Sequence, residues 1–407
     1  MNNKVLNIFT LDFPYGTEEP FLKAELDILA INFEKIFLYP MHFKSMVKKF
    51  NLPENVEIKH VDIFAPYNRL SVLRNNLRLV FSVFFIELIK SKNRFSYLFE
   101  FRKNLNVLLH RINASKTLSQ SLGDKPSICY TYWFNQWTMV LSVLNDKQKN
   151  ISVFTRIHGS DVYEEQHDEK NFFFPFRYFQ EKQIKKVFAI SNNGKEHLLK
   201  KSPQFKGKVV VNHLGVLPKV LNAINSSKEF VLVSCSSFQK YKRVHLIFEI
   251  LKHVNFKITW IHFGDSSERE EVVKTFSSCP ENVTIILKGY VSNSDLMNYY
   301  SNNSVDLFIN VSETEGIPVS IMEAMSFGIP CLATNVGGVS EIVNENCGYL
   351  IAKNFDTRSV AEIINKHFKL SNENKLNLKN NSLQAWSSNF NVITNSNLLA
   401  KTLIIEK

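Results

Sequence analysis

The stretch VDLFINVSETEGIPVSIMEAMSFGIP, from Val305 to Pro330, decides the fold of this chain. Its first part, VDLFINV, is rich in apolar and β-branched residues and predicts a buried strand. SETEG follows as the loop at the carboxyl end of that strand. PVSIMEAMSF predicts a helix that begins at Pro318 and ends at Gly328. A buried strand, a loop and a helix in direct succession are the repeating unit of a parallel sheet covered by helices.

The same unit recurs along the whole sequence. In the first half the predicted strands are KVLNIFT, KIFLYP, SICYTYW, ISVFTRIHG, KVFAIS and KVVVNHLG. In the second half they are FVLVSCS, KITWIHFG, VTIILKG, VDLFINV, PCLATNV and GYLI. The predicted fold class is α/β, with two Rossmann-like doubly wound domains facing a central cleft. Ligands of such sheets bind beyond the carboxyl ends of the strands.

A length of 407 residues suits two domains. The polar segment VLPKVLNAINSSK, at 216–228, has no clear period and is interpreted as the linker. The predicted domains are therefore an N-terminal domain at 1–215 and a C-terminal domain at 229–381. Residues 382–407 have a helical pattern and are expected to pack back across the junction.

Composition is that of a soluble globular protein, with 44% hydrophobic and 21% charged residues. The longest apolar run, LVFSVFFIELI at 79–89, contains Glu87 and is too short to span a membrane. The apolar stretch at the amino terminus is too short for a signal peptide. The 5 cysteines are scattered without a CxxC pair, which predicts reduced thiols in the cytoplasm and no structural zinc.

Positive charge is concentrated in one segment. The net charge is +11, and residues 41–120 hold 14 Lys and Arg against 5 Asp and Glu. Such a segment attracts polyanions or an anionic membrane surface. Its many apolar and aromatic residues favour a membrane surface over nucleic acid. A solvated basic face beside a buried helix explains the composition equally well.

The opening stretch also predicts a binding site. A helix amino terminus presents unpaired N–H groups that suit a phosphate, and Gly316 permits close approach of the backbone. Glu315 precedes this anion site and Glu323 follows it on the helix. A ligand with phosphates in the middle and hydroxylated groups at both ends, such as a nucleotide-diphosphate sugar, contacts all three. In the alternative interpretation Glu323 is a surface residue and Glu315 an acid favoured by the helix dipole.

The string SETEGIPVSIMEAMSFGIPCLATNVGG resembles the E-x7-E signature of the retaining family 4 glycosyltransferases, which have the two-domain GT-B fold. The resemblance implies that Glu315 contacts the transferred sugar and Glu323 the ribose of the donor. It also implies that the backbone amides around Gly316, Ile317 and Val319 lie near the diphosphate or the sugar.

VSCSSFQKYKRVHLIFEIL, at 233–251, matches a second element of the family, in which an arginine and a lysine clamp the diphosphate. Lys242 stands at the position of the lysine. Ser237 stands where the arginine is expected, and Arg243 or Lys240 is the candidate for the missing charge. The resemblance therefore implies a donor-binding role for Ser237, Lys242 and Arg243, while ordinary solvated lysines are the alternative.

Two motifs of the first half are similar to family elements. In TRIHGSDVYEE, His158 matches a histidine that reaches the sugar and is expected to donate to a hydroxyl or to the reacting centre. In DFPYGTEEPF, Gly16 matches a loop that approaches the diphosphate and the acceptor. A structural histidine, and a plain turn with Glu18 and Glu19 at a helix start, are the alternatives. The aromatic residues at 130–137 suit either acceptor stacking or core packing.

The resemblance implies retaining transfer of a sugar from a nucleotide-diphosphate sugar to a hydroxyl of a lipid-linked or cell-surface glycan. His158, Glu315 and Lys242 are the expected catalytic residues, and the leaving diphosphate helps to take the acceptor's proton. No metal or other cofactor is expected, and the location is cytoplasmic, at the inner face of the membrane. Because Ser237 replaces the arginine, a non-catalytic nucleotide-sugar-binding subunit of a glycan-assembly complex is an alternative. A polyanion-binding protein that uses the basic segment is another, although nucleic acid is not the expected partner.

Overall fold

A computed structural model describes residues 4–16, 19–43, 46–90, 95, 100–163, 174–225, 229–276 and 278–406. The chain divides into two compact units. The first comprises Met1–Asn212 together with Ile393–Lys407, and the second comprises His213–Val392. Each unit is built around its own parallel sheet.

The sheet of the first unit has the strand order β3-β2-β1-β4-β5-β6-β7. Its strands are β1 (Val5–Thr10), β2 (Lys35–Pro40), β3 (Val56–Ile58), β4 (Ser127–Thr131), β5 (Ile151–Ile157), β6 (Ile184–Ala189) and β7 (Val209–Val211). All neighbouring strands are parallel. The strand order reverses between β1 and β4, so the loops after these two strands border the place where ligands of doubly wound sheets bind.

Helices cover this sheet, as the predicted alternation of strands and helices requires. They are α1 (Leu22–Asn32), α2 (Arg69–Asn75), α3 (Leu77–Lys90), α4 (Phe101–Leu122), α5 (Gln136–Gln148), α6 (Arg177–Gln183) and α7 (Asn192–Lys201). The core also contains a buried ion pair, in which Arg156 Nη1 donates to Glu25 Oε2 over 2.6 Å. Arg156 Nη2 donates to Asn212 Oδ1 over 2.6 Å, so both ends of the guanidinium have acceptors.

The sheet of the second unit has the order β10-β9-β8-β11-β12-β13, again with parallel neighbours. Its strands are β8 (Phe230–Cys235), β9 (Ile258–Phe263), β10 (Val283–Gly289), β11 (Leu307–Asn310), β12 (Cys331–Thr334) and β13 (Gly348–Ile351). Its helices are α8 (Val244–Leu251), α9 (Arg269–Lys274), α10 (Asn293–Asn302), α11 (Val319–Ser326), α12 (Thr357–Phe368) and α13 (Asn372–Asn389). The strand order reverses between β8 and β11, which places the loops after these strands at the switch point.

The segment interpreted as a linker packs within the second unit as far as the structure describes it. Asn222 Nδ2 donates to Tyr300 O over 2.6 Å and to Asn303 O over 2.7 Å. Asn222 Oδ1 accepts from Val305 N–H and from Lys379 Nζ. Residues 226–228 of the predicted linker lie outside the described residues. Asn222, one of the polar residues that suggested a free linker, is therefore a buried hydrogen-bonding group.

The carboxyl-terminal segment contains two helices where the sequence predicts one continuous helical segment at 382–407. Helix α13 ends at Asn389, and the last helix, α14, spans Val392–Ile405. Contacts assign Ile393–Lys407 to the first unit. Asn212 Nδ2 donates to Asn395 O over 3.0 Å, which ties α14 to the end of β7.

The apolar run at 79–89 forms most of α3. Glu87, which interrupts the run, is 1% exposed, and one of its oxygens accepts from Phe179 N–H over 2.9 Å. Among the described residues, no helix has the length and apolar character that crossing a membrane requires.

Candidate functional site

An ion pair joins the loops that follow β8 and β11. Lys242, in a 3-10 turn at Lys240–Lys242, places Nζ 2.7 Å from Glu315 Oε1. Asn310 Nδ2 donates to the same carboxylate oxygen over 3.3 Å. The side chains of Lys242 and Glu315 are 18% and 9% exposed. Their limited exposure strengthens the pair relative to a surface salt bridge and fixes both groups at the carboxyl edge of the sheet.

Helix α11 begins immediately after this ion pair. Pro318 is its N-cap residue, so the helix begins at Val319, one position later than predicted. In the part of the chain that the structure describes, no side chain caps this helix. The first amides of α11, beginning at Val319, therefore present donors that a phosphate can accept from.

A glycine pair packs against the loop that carries Glu315. A Cβ at Gly337 would lie 1.8 Å from Glu315 O, and Gly337 has a φ of +55°. Gly338 N–H donates to Gly316 O over 2.7 Å, and a Cβ there would lie 2.5 Å from Ile317 Cγ1. Only glycine allows the two backbone segments to approach this closely. The pair thus fixes the backbone at the predicted sugar-binding position.

Glu323 lies in α11 with its carboxylate buried, since the residue is 6% exposed. Asn293 Nδ2, at the start of α10, donates to Glu323 Oε1. Burial raises the pKa of Glu323 to about 7, while the Asn293 hydrogen bond and the charge of Lys219 act in the opposite direction. The half-buried thiol of Cys235, at the end of β8, interacts electrostatically with both Glu323 and Lys242.

Arg243 is held by the backbone around the end of β11. Its Nε donates to Val311 O over 2.7 Å, its Nη1 to Lys353 O over 2.9 Å and its Nη2 to Ser312 O over 3.2 Å. The guanidinium also lies 5.4 Å from the ring centroid of Phe355. Three of its five N–H groups thus bind backbone carbonyls, and the role of Arg243 in place of the missing arginine of the diphosphate clamp stays a prediction.

Ser237 follows β8 at the position where the family carries an arginine. Its Oγ donates to Gln239 Oε1 over 3.1 Å, and Tyr241 OH donates to the same oxygen over 2.6 Å. The side chain supplies no charge. Among the residues predicted from the loop after β8, Lys242 is the one whose cationic group is directed at a predicted donor-binding residue, Glu315.

In the first unit, His158 follows β5 and is 8% exposed. Its Nε2 lies 3.0 Å from Tyr132 O, so Nε2 carries the proton and donates to that carbonyl. Burial, with a smaller effect from Arg156, lowers the pKa of His158 to about 3, and the ring is neutral. The ring also packs on Trp133, with centroids 4.1 Å apart. The expected donation from His158 to a sugar hydroxyl is not available through Nε2.

The loop after β1 contains Gly16 and is fixed by Glu19. Gly16 N–H donates to Asp12 O over 2.9 Å, and a side chain at Gly16 would overlap the Asp12 carboxylate. The carboxylate of Glu19, 1% exposed, accepts from three consecutive backbone N–H groups, of residues 11, 12 and 13. Trp133 Nε1 donates to it over 2.6 Å. Glu19 is therefore a buried anion that shapes this loop and links it to the loop after β4.

The structure brings Lys242, Glu315, Gly316, Ile317 and Val319 together at one edge of the second sheet, with Glu323 one turn further along α11. Gly16 and His158 occupy the corresponding edge of the first sheet. Sequence reasoning missed Asn293 and Asn310, and it did not predict that Glu19 and Trp133 are hydrogen-bonded to each other. Their signal in the sequence is slight, since each lies near a strand end or a helix start, and the partners of Trp133 and Asn293 are distant in sequence.

With two doubly wound parallel sheets, the chain has the GT-B fold. HepE from Anabaena, whose structure was determined in complex with UDP and glucose, superposes with a TM-score of 0.66. The superposition covers 98% of this chain and 100% of HepE at 16% sequence identity, so the similarity establishes the fold. The predicted fold class is confirmed.

Residues 221–384 match the family described as glycosyl transferases group 1. The matched segment contains Lys242, Glu315 and Glu323. The match confirms the resemblance to GT-B glycosyltransferases predicted from the sequence.

Two curated relatives are similar to parts of the chain. CapJ from Staphylococcus aureus is 29% identical over 226 residues, which are 52% of this chain and 56% of CapJ. The O-antigen biosynthesis glycosyltransferase WbnH from Escherichia coli is 33% identical over 107 residues, which are 24% of this chain and 29% of WbnH. The chain thus spans about half the length of CapJ and less than a third of WbnH.

Proposed function

We propose that the chain is a retaining glycosyltransferase that moves a sugar from a nucleotide-diphosphate sugar to a hydroxyl acceptor. The observation that carries this proposal is the ion pair between Lys242 and Glu315 beside the uncapped start of α11. It supplies a cation and helix amides for the diphosphate, and a carboxylate for the sugar hydroxyls. The group 1 family match over the same residues supports the assignment.

In the proposed reaction, the bond between the anomeric carbon and the diphosphate oxygen breaks, and a bond to the acceptor oxygen forms on the same face of the sugar. The acceptor proton passes to the departing diphosphate. Lys242 and the α11 amides stabilise the negative charge that develops on that diphosphate, and Glu315 holds the sugar in position. The positive charge is supplied by the protein, so the proposal includes no metal, and we expect activity to survive chelation with EDTA.

Glu315→Gln tests this function in the purified full chain. Candidate donors begin with UDP-glucose, because HepE was crystallised with UDP and glucose. We expect transfer of the sugar to an acceptor, or to water, to fall about a hundredfold in Glu315→Gln. NMR of the product should show that the anomeric configuration is retained.

Glu313→Gln is the matched control, because Glu313 lies in the same loop, is 51% exposed and pairs only with exposed Lys353 among the described residues. It should keep wild-type activity. The serine at position 237 favours one alternative, a non-catalytic nucleotide-sugar-binding subunit. A wild-type chain that binds a nucleotide sugar but shows neither transfer nor hydrolysis would establish that alternative.

The proposed site of action is the inner face of the membrane, reached through the outer face of α3. Phe81, Phe85 and Ile89 form one stripe on that face and are 70%, 66% and 62% exposed. The opposite face of α3 packs inward through Val83 and Phe84. Because α3 is apolar on both faces, packing against the first unit buries one face and leaves the other available for contact with another surface.

Exposed basic side chains flank this stripe. They include Arg74 at the end of α2, Arg78 in the first turn of α3 and Lys90 in its last turn. Phenylalanines combined with arginines and lysines fit the interfacial region of a membrane that contains anionic lipid. The predicted basic segment also includes residues 44, 45, 91–94 and 96–99, which lie outside the described residues. We propose that this face of α3 holds the enzyme at a surface that carries its lipid-linked acceptor.

A further inference from the structure

The first unit contains a cavity of about 530 Å³ that the donor chemistry does not use. It lies at the carboxyl edge of the first sheet, because its walls include residues from the loops after β1, β4 and β5. These are Leu11, Trp133, Phe134 and Asp161. Helices α4, α5 and α6 supply the remaining walls, among them Arg111, Met139 and Arg177. This edge is where doubly wound sheets bind ligands.

The charge in this cavity comes from a buried arginine. Arg111 is 7% exposed, and its Nη2 donates to the neutral acceptor Gln136 Oε1 over 2.6 Å. None of the described carboxylates forms an ion pair with Arg111. Burial lowers the pKa of Arg111 to about 10. A desolvated guanidinium with one neutral acceptor retains donors that suit an anion.

The rest of the cavity is mainly aromatic and apolar. Phe134, Phe174 and Phe176 contribute rings, and Met139 contributes a flexible thioether side chain. The guanidinium of Arg177 lies 3.5 Å from the ring centroid of Phe134, so its flat face covers an aromatic ring. The acidic residue of the wall, Asp161, directs one carboxylate oxygen at His158 N–H over 2.9 Å. A sugar would leave most of these apolar walls without apolar contact, whereas a hydrocarbon chain packs against them.

We propose that this cavity binds the linkage end of an amphiphilic acceptor. The ligand is a phosphate ester whose oxygens are bound by Arg111 and whose apolar chain lies against the aromatic walls. The planar guanidinium can donate two hydrogen bonds to one phosphate. It stays protonated near neutral pH.

The position of the cavity agrees with an acceptor that arrives from a lipid surface. Met139 and Phe176, in its wall, belong to the same apolar cluster as Val83 and Phe84 on the inner face of α3. Phe84 and Phe176 are in edge-to-face contact, with centroids 6.3 Å apart. Helix α3 therefore packs against the cavity wall with one face and presents Phe81 and Phe85 outward with the other.

The ligand is an acceptor only if the proposed transferase function holds, so the two proposals are tested separately. Isothermal titration calorimetry of the full chain with octyl phosphate, octanol and inorganic phosphate measures the cavity alone. We expect octyl phosphate to bind at least tenfold more tightly than either octanol or inorganic phosphate. Arg111→Gln should weaken octyl phosphate binding at least tenfold, because a charge-assisted hydrogen bond is lost. Arg102→Gln, an exposed arginine on the same helix, is the control and should bind as the wild type does.

Equal binding of octanol and octyl phosphate would overturn the proposal, as would equal binding of inorganic phosphate or an unchanged affinity in Arg111→Gln. If Arg111→Gln does not fold, Arg111→Met replaces it, and the three-ligand comparison on the wild-type chain needs no variant. The affinity for nucleotide sugars should be the same in Arg111→Gln as in the wild type. The chain could bind octyl phosphate in an Arg111-dependent way and yet neither bind nor turn over nucleotide sugars. That result would contradict the proposed transferase function and support the phosphate site.

Discussion

At the scale of single residues, Glu323 is the group whose charge is most sensitive to its surroundings. It is buried in α11, with Asn293 as its hydrogen-bond donor and with Lys219, Cys235 and Tyr300 as the ionisable groups that interact with it. Desolvation raises its pKa to about 7. A ribose hydroxyl donates best to the ionised carboxylate, so donor binding and ionisation of Glu323 should be linked.

The linkage gives a pH dependence with a definite sign. Binding should weaken as the pH falls through about 7, and the dissociation constant of a nucleotide sugar should be about tenfold higher at pH 6 than at pH 8. The donor must be a nucleotide sugar, because the terminal phosphate of a free nucleotide titrates in the same range. Calorimetry across this range measures the effect.

Glu323→Gln is the control and should bind with an affinity that does not change between pH 6 and pH 8. If the affinity of the wild-type protein also does not change between pH 6 and pH 8, ionised Glu323 does not contact the donor. The folded protein binds this proton more tightly than the unfolded chain does. The contribution of Glu323 to the free energy of unfolding of the ligand-free protein should therefore fall as the pH rises from 4.5 towards 7.

How far single residues could be predicted depends on where their partners lie. The sequence predicted Lys242 and Glu315 as site residues, because both belong to strings with fixed spacing, and in the structure they form an ion pair. It could not identify the role of Arg243, whose acceptors include Lys353 O, more than a hundred positions away. The proton position on His158 likewise depends on Tyr132 O in a neighbouring strand end. Such backbone acceptors leave no pattern in the sequence.

At the scale of elements, the strands were predicted well because buried parallel strands are continuous apolar runs bounded by polar loops. The exception is β3, Val56–Ile58, an edge strand of 3 residues with an exposed Glu57. Helix α3 shows what could not be predicted from the sequence of a helix. Its apolar composition predicted burial or membrane contact, and only the structure distinguishes the inner face from the outer face that exposes Phe81 and Phe85.

The outer face of α3 makes the membrane proposal testable. The triple variant Phe81→Ser, Phe85→Ser and Ile89→Ser should reduce co-sedimentation with anionic vesicles at least tenfold, because burying one such side chain contributes about 1.5–3 kcal/mol. Arg74→Glu with Arg78→Glu should also reduce it, and vesicles of neutral lipid should bind poorly.

Ile31→Ser is the matched control for an apolar residue elsewhere on the first unit, since Ile31 is 81% exposed on α1. It should leave co-sedimentation unchanged. A triple variant with an intact thermal transition and undiminished sedimentation would rule out α3 as the membrane contact.

At the scale of the whole molecule, the sequence predicted two doubly wound domains, and the structure contains two compact units with parallel sheets. The first unit runs to Asn212, close to the predicted 215, and the described part of the predicted linker belongs to the second unit. Asn222, in the predicted linker, binds Tyr300 O and the buried amine of Lys379, and burial lowers the pKa of that lysine to about 8. These partners are distant in sequence, so the composition of the segment does not reveal that Asn222 is buried and hydrogen-bonded.

The most direct test of the central claim is the thermal unfolding of the purified chain with a panel of nucleotide sugars. One donor at about a hundred times its dissociation constant should add ~2.7 kcal/mol of stability and raise Tm by several degrees. Lys242→Ala should abolish most of this increase, whereas Lys240→Ala, an exposed lysine of the same turn, should retain it. No increase with any nucleotide sugar, or an increase that persists fully in Lys242→Ala, would contradict the proposed donor site.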